Sequence, residues 1–377
     1  MTLQELLNLV VNPYMPEKLI DKLNMERIGK VASFFPNRLT SFFGFECRLG
    51  ELEPKGDFLF CIRQANQERQ ILAGNDEVKG IPNVLLENEV WRRIVNFSKH
   101  WDMVESPLYS ADNIWMELDM DDIDLDKPIP SFFFGFNDNK KWEELKQICE
   151  IAFNELLGKA IDKQIFKNLI HCFKLLPAHA RVFQIGLMLS RNTEGIRLCI
   201  QNLRPVEIPT FLMKLGWPGN PEELNLLLEQ LEGNVDHINL DIDIGMEILP
   251  KVGLECYIDP DQKANDKWKD FLDLLTEGGL CKPEKREALK TYFGVTNRFM
   301  CNKIWPEHWL VASASLKNKQ LSTYVRFPNH IKLSFEPNKP LEAKIYLGTK
   351  HAWIPTKQLV EAYNLRTGNN IKMKSEK

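Results

Sequence analysis

Ile114-Trp115-Met116-Glu117-Leu118-Asp119-Met120 alternates residue by residue between aliphatic side chains and polar or aromatic ones. His237-Ile238-Asn239-Leu240-Asp241-Ile242-Asp243-Ile244 does the same, with four aliphatics on one face. A period of two is that of a strand whose faces meet different surroundings. If helices pack on the aliphatic face, the face carrying Trp, Glu, Asp and His lines an interior, and the sheet encloses a binding or catalytic chamber.

Working outward, these strands sit in a rhythm of two apolar-striped helices followed by two short strands. The first forty residues carry helical stripes (Leu3, Leu6, Leu7, then Leu19, Leu23, Ile28), and strands are expected at 43–50 and 57–64, with a third piece at 68–73. A helix over 85–99 precedes strands at 113–120 and 131–136. Helices at 141–157 and 162–175 lead to strands at 182–190 and 195–201. Stripes through Ile208, Phe211, Leu212 and Leu215, then Leu224, Leu227 and Leu231, precede strands at 237–244 and 252–258. Asn220-Pro221-Glu222-Glu223 supplies a cap, a first-turn proline and acids that suit a helix N-terminus. Helices at 265–276 and 283–293 then precede strands at 308–316, 322–326, 329–335 and 342–348.

The unit thus appears about five times with no Pro-, Gly- or Ser-rich linker. Units that cannot bury their own faces need neighbours, and a ring of them closes on itself. Short connections within each strand pair favour antiparallel pairing. The expected fold is an α/β closed barrel of about ten antiparallel strands ringed by helices, forming one domain over residues 1–365 with a polar, basic tail over 366–377. A βαβ arrangement fits less well, since it places one helix between successive strands.

Composition narrows the function. The 377 residues are 44% hydrophobic and 27% charged, which is ample for a core, and the net charge of −4 provides no basic footprint for nucleic acid. No run of eighteen apolar residues spans a membrane, and the start lacks the pattern of a signal peptide, so the reading is cytoplasmic. The eight cysteines form no CxxC pair and read as buried free thiols. GxGxxG, Walker-type, HExxH and GxSxG motifs are absent.

Strand parity sorts the chamber-facing residues: Trp115, Glu117 and Asp119; Phe133; Gln184 and Met188; Arg197, Cys199 and Gln201; His237, Asn239, Asp241 and Asp243; Glu255 and Tyr257. The last strands add Ser313, Ser315, Tyr324, Arg326, His330, Lys332, Ser334, Lys344 and Tyr346. A barrel that is merely filled would carry Val, Ile and Leu here. Burying this mixture of acids, bases and aromatics is costly without a ligand or water. The inverse assignment, an antiparallel sheet with one solvated face, remains the alternative.

Five ααββ units around a polar antiparallel lumen resemble the ABBA, or PT-barrel, aromatic prenyltransferases of the dimethylallyltryptophan-synthase type. His330-Ile331-Lys332-Leu333-Ser334 is similar to that branch's Arg-x-Lys-x-Tyr, and Lys344-Ile345-Tyr346 matches its Lys-x-Tyr. His330 and Ser334 depart from the arginine and tyrosine of the pattern. Glu117 resembles the acid that receives an indole N–H. The resemblance implies a prenyltransferase that moves an allylic isoprenoid (dimethylallyl or geranyl) from its diphosphate to an indole, phenol or peptide side chain. Arg197, Arg326, His330, Lys332 and Lys344 would bind the diphosphate. Trp115, Tyr257 and Tyr346 would shield the cation. Glu117, with Glu255 and His237 behind it, would be the base. No cofactor is required, although Mg²⁺ is compatible with the acids.

Two other classes stay open. A non-catalytic barrel would hold a hydrophobic molecule or a peptide. An acid/base hydrolase would use Asp241 and Asp243, two residues apart on one strand face. The acidic run from Asp119 through Asp126 lacks the glycine and terminal glutamate of an EF-hand and reads as a solvated loop.

Overall fold

The computed structural model describes residues 1–358 apart from 65–66, 76–79, 192–194, 262, 302–303 and 317–318, so the expected tail at 366–377 lies outside the described residues. Among the described residues, eleven strands form one antiparallel sheet: β1 (Phe42–Arg48), β2 (Gly56–Arg63), β3 (Asn113–Leu118), β4 (Ser131–Gly135), β5 (Arg181–Leu187), β6 (Ile196–Gln201), β7 (His237–Ile244), β8 (Ile248–Tyr257), β9 (Gly294–Asn297), β10 (Gln320–Phe335) and β11 (Glu342–Pro355). Their order is β11-β1-β2-β3-β4-β5-β6-β7-β8-β10-β9, and the additional pairing of β10 with β11 closes ten of them into a barrel. β9 lies outside this ring, pairing with β10 at Thr323–Arg326.

Twelve helices accompany the strands among the described residues: α1 (Leu3–Val10), α2 (Lys22–Ala32), α3 (Glu68–Ala73), α4 (Asn83–Leu86), α5 (Glu89–Trp101), α6 (Trp142–Leu157), α7 (Lys163–Leu175), α8 (Ile208–Leu215), α9 (Pro221–Leu231), α10 (Ala264–Glu277), α11 (Pro283–Tyr292) and α12 (Glu307–Ser315). Helices precede each strand pair five times, as the repeat requires. None of them is long and apolar enough to cross a membrane. Ile114, Met116 and Leu118 join Ile238, Leu240, Ile242 and Ile244 in the core shared with the helices, so the polar face of each strand is the lumen face.

Three expectations fail locally. Residues 68–73 are helix α3, not strand, and 308–316 is helix α12, so Ser313 and Ser315 are not lumen side chains. Ala312-Ser313-Ala314-Ser315 alternates apolar and polar residues, but the segment follows Pro306-Glu307, a helix-start signal, and opens with the unbroken apolar run Trp309-Leu310-Val311-Ala312. The two strands expected at 322–326 and 329–335 are one strand, β10, with a register shift between Pro328 and His330. That bulge reverses side-chain parity on its two sides. His330, Lys332 and Ser334 keep the predicted orientation, whereas Tyr324 and Arg326 point outward into the helical layer.

Candidate functional site

Register places the lumen residues in rows. Toward the end where β1 finishes at Arg48, Glu46 faces Asp57 on β2 and Tyr346 on β11, Lys332 lies opposite both Lys344 and Glu255, and Arg197 faces Asp243. Toward the opposite end, where β7 starts at His237, the row is aromatic. Phe42 packs edge-on against Trp115 at 4.9 Å and at a tilt against Phe327 at 6.0 Å, and Trp115 faces Phe133 across the β3–β4 ladder. Phe133 lies flat over Gly186 on β5, where a Cβ would sit 2.2 Å from its ring.

The charged rows are paired throughout. Lys332 Nζ donates to Asp241, whose second oxygen is buried with no hydrogen-bond partner among the described residues. Lys344 Nζ donates to Glu46 at 2.7 Å, and the Tyr346 hydroxyl donates to the other Glu46 oxygen. Arg197 grips Asp243 with two parallel bonds of 2.8 and 2.9 Å. Burial pulls the Glu46 carboxyl upward, but Lys344 and Tyr346 outweigh it and leave Glu46 ionised. Burial opposes charge on Lys332 as well, and Asp241 outweighs it, so the ammonium stays charged. Gly253 makes room for the Lys332–Asp241 pair, since a Cβ there would lie 2.5 Å from Lys332 Cε. The Arg48 end is knitted by Arg48 to Asp57 and Asp121 at 3.3 and 3.2 Å and by Arg191 to Asp119 at 2.6 Å.

Glu117 lies between the two zones. Its carboxylate forms no hydrogen bond or ion pair among the described residues, and burial, reinforced by the Glu46 charge, pushes it up to about 7. Lys332 and Arg197 act on it from across the lumen, so these two cations and Glu117 share one electrostatic neighbourhood. Beside it runs a ladder of rings across four adjacent strands. His237 stacks on Tyr257 at 4.8 Å, Tyr257 packs at a tilt against His330 at 4.8 Å, and His330 stacks on Tyr346 at 4.2 Å. Tyr257 donates to Glu255 at 3.0 Å, and Glu255 is held protonated by burial and by the charge of Asp241.

Several predicted residues change role. Arg326 is removed from the diphosphate set: on the outer side of the wall it donates to the Tyr292 and Val10 carbonyls at 3.0 and 2.9 Å and stacks over Tyr14. His330 is in the lumen but is no cation, because burial and Lys332 push its imidazole down to about 3. His237 sits at the mouth, half-exposed, 3.5 Å from Asp259. Asp241 and Asp243 are each tied to a different cation, so they do not share a proton as the hydrolase alternative would require. Met188 lies beyond the end of β5. The sequence reading missed Phe42, Glu46 and Asp57. Phe42-Phe43-Gly44-Phe45-Glu46-Cys47 carries aromatics on both faces and so shows no alternation; the one available signal is that Phe42, Gly44 and Glu46 fall on the same parity.

The described residues hold no group of three or more His, Cys, Asp or Glu side chains that could hold a metal ion. No family model matches the chain. No curated protein matches it either. Among solved structures, AnaPT from Neosartorya fischeri superposes with a TM-score of 0.53 at 13% identity, covering 92% of this chain and 94% of that one. The 5-dimethylallyltryptophan synthase from Streptomyces coelicolor aligns over 92% of this chain and 94% of its own at 12% identity, with a TM-score of 0.47. The 6-dimethylallyltryptophan synthase from Micromonospora olivasterospora aligns over 82% and 81% at 12% identity, with a TM-score of 0.45. The fold is the ABBA, or PT-barrel, fold expected from the repeat.

Proposed function

We propose that the lumen transfers an allylic isoprenoid from its diphosphate to an electron-rich aromatic acceptor. The observation that carries this reading is Glu117: an unpaired carboxyl near neutrality, two residues along the same strand face from Trp115 and within the field of Lys332 and Arg197. In the step proposed, the allylic C–O bond breaks and the electron pair leaves with the diphosphate. The cation is shielded by the faces of Trp115, Tyr257 and Tyr346. The acceptor ring forms the new C–C bond, and its proton passes to ionised Glu117. Glu255, protonated, serves as a hydrogen-bond donor to the acceptor or, through Tyr257, fixes the ring ladder.

The cations need a further condition. Lys332, Lys344 and Arg197 are each bound to a carboxylate, so a diphosphate must loosen those pairs to be held by them. Mg²⁺ arriving with the diphosphate would satisfy this, since it is held by one or two carboxylates plus phosphate oxygens, and Asp241 offers an unpartnered buried oxygen. The same pairing favours a second reading, a chamber that binds an aromatic molecule and performs no transfer.

Incubation with dimethylallyl or geranyl diphosphate and a panel of indoles, phenols and Trp- or Tyr-containing peptides, with and without Mg²⁺, separates the two. Prenyl transfer gives a product heavier by the prenyl group, seen by mass spectrometry, with stoichiometric diphosphate release. Acceptor binding without release of diphosphate from any pair would overturn it in favour of the binding chamber.

A further inference from the structure

The wall of the barrel parts at one place. β8 ends at Tyr257, and its ladder with β10 stops at Ile331–Cys256. β10 continues beyond that point for eleven residues and pairs on that edge only with the short β9. Between the end of β8 and β9 lies a cavity of about 950 Å³. Its outer wall comes from α10 and α11, through Trp268, Leu272 and Leu289, with Phe293 beyond them; its inner wall comes from Val325 and Phe327 of β10. Lysine, arginine and aspartate side chains sit among its lining, while the surface offered is mostly apolar.

The inner wall belongs to the lumen. Val325 and Phe327 pair with Lys350 and Gly348 of β11, on the same face as Tyr346. Phe327 is also the first ring of the row Phe327–Phe42–Trp115, and Trp115 is two residues from Glu117 on the same face of β3. Tyr257, a rung of the ring ladder, touches the cavity from below. The cleft carries charged side chains, Arg286, Lys290 and Arg326 among them, but from Phe327 inward the row Phe327–Phe42–Trp115 is apolar and leads toward Glu117. The volume lies at the upper end of the ~300–1,000 Å³ typical of small-molecule sites, more than a five-carbon group uses.

We propose that this cleft seats the hydrocarbon tail of an isoprenoid longer than dimethylallyl, whose reactive end reaches Glu117 along the Phe327–Phe42–Trp115 row. The proposal rests on the prenyl-transfer reading for the identity of the tail, and its test does not depend on turnover. Calorimetric titration of the full chain with dimethylallyl alcohol, geraniol and farnesol reads the tail alone, without a diphosphate. Each added isoprene unit should tighten binding by about tenfold or more, well inside the limit set by burying five carbons. Ala264→Phe narrows the cleft from a half-buried position at the start of α10, away from Glu117 and the ion pairs. It should weaken farnesol by about tenfold while leaving dimethylallyl alcohol and the melting temperature unchanged. Val325→Trp fills the same space from β10 and should act in the same direction. Equal affinity along the alcohol series, or a farnesol affinity untouched by both variants, overturns the cleft. Farnesol bound in this manner while farnesyl diphosphate is never consumed would sink the catalytic reading and leave the cleft standing.

Discussion

The two halves of the lumen are built from the same strands and treat charge in opposite ways. Toward Arg48, every cation has its own acid: Lys332 with Asp241, Lys344 with Glu46, Arg197 with Asp243. Toward His237, the wall is rings, and the carboxyl at its border, Glu117, has no partner among the described residues. Buried pairs of this kind hold a structure in register but add little net stability, because desolvation offsets the attraction. A partly buried, unpaired carboxyl with a raised pKa costs stability and is the more informative signal of chemistry. On the proposed function, the difference places structure in one half and the base at the boundary.

That assignment can be broken at Glu117 first. Glu117→Gln keeps the shape and removes the charge, and should lower the prenyl-transfer rate by about two to four orders of magnitude, measured as product formed per enzyme. An unfolded variant, or one as active as the parent, would move the base to Glu255. The charged half is sharpened by Asp241→Asn, which strands the Lys332 ammonium. Chemical denaturation should show a loss of about 3–5 kcal/mol. If the pair also restrains diphosphate binding, the same variant should bind inorganic diphosphate more tightly at temperatures where it stays folded.

Arg326 tests the wall itself. Arg326→Gln removes the charged donor that ties β10 to the α1 and α11 ends, and should cost about 2–3 kcal/mol of stability with dimethylallyl turnover unchanged. A selective loss of activity would return Arg326 to the diphosphate set. The smallest effect is the pH linkage of Glu117. Its folded pKa of about 7 exceeds the ordinary glutamate value of 4.5, so the folded chain binds the extra proton and stability falls as pH rises between those values. Glu117→Gln should therefore be more stable than the parent by about 1–2 kcal/mol at pH 8, with the advantage fading below pH 5. Thermal melts across that range check the sign, and a pH-independent difference would show that Glu117 does not titrate in this window.

Much of the architecture was legible because β3 and β7 alternate cleanly and each connection between strand pairs is long enough for two helices. The lumen assignments of Glu117, Lys332, Lys344, Arg197 and Tyr257 followed from parity alone. Parity failed where the backbone broke its own period. The bulge at Pro328–His330 sends Tyr324 and Arg326 outward, and a bulge is a two-strand property that one strand's sequence does not announce. β1 hid Glu46 because Phe43 and Phe45 serve the core while Phe42 serves the lumen. The pairing of cations with acids was equally invisible, since Lys332 and Asp241 are 91 positions apart and meet only across β8.

Closure of the ring has a consequence for how the chain is made. β1 finds one neighbour at once in β2, and its other neighbour only in residues 344–350 of β11. Contacts of that separation form late and slowly, because the loop entropy is spent before they contribute. During synthesis, β1 therefore waits with an open edge until nearly the whole chain has emerged. A chain ending before Glu342 would leave two such edges, on β1 and on β10, and would be expected to accumulate in aggregates, not as a smaller barrel.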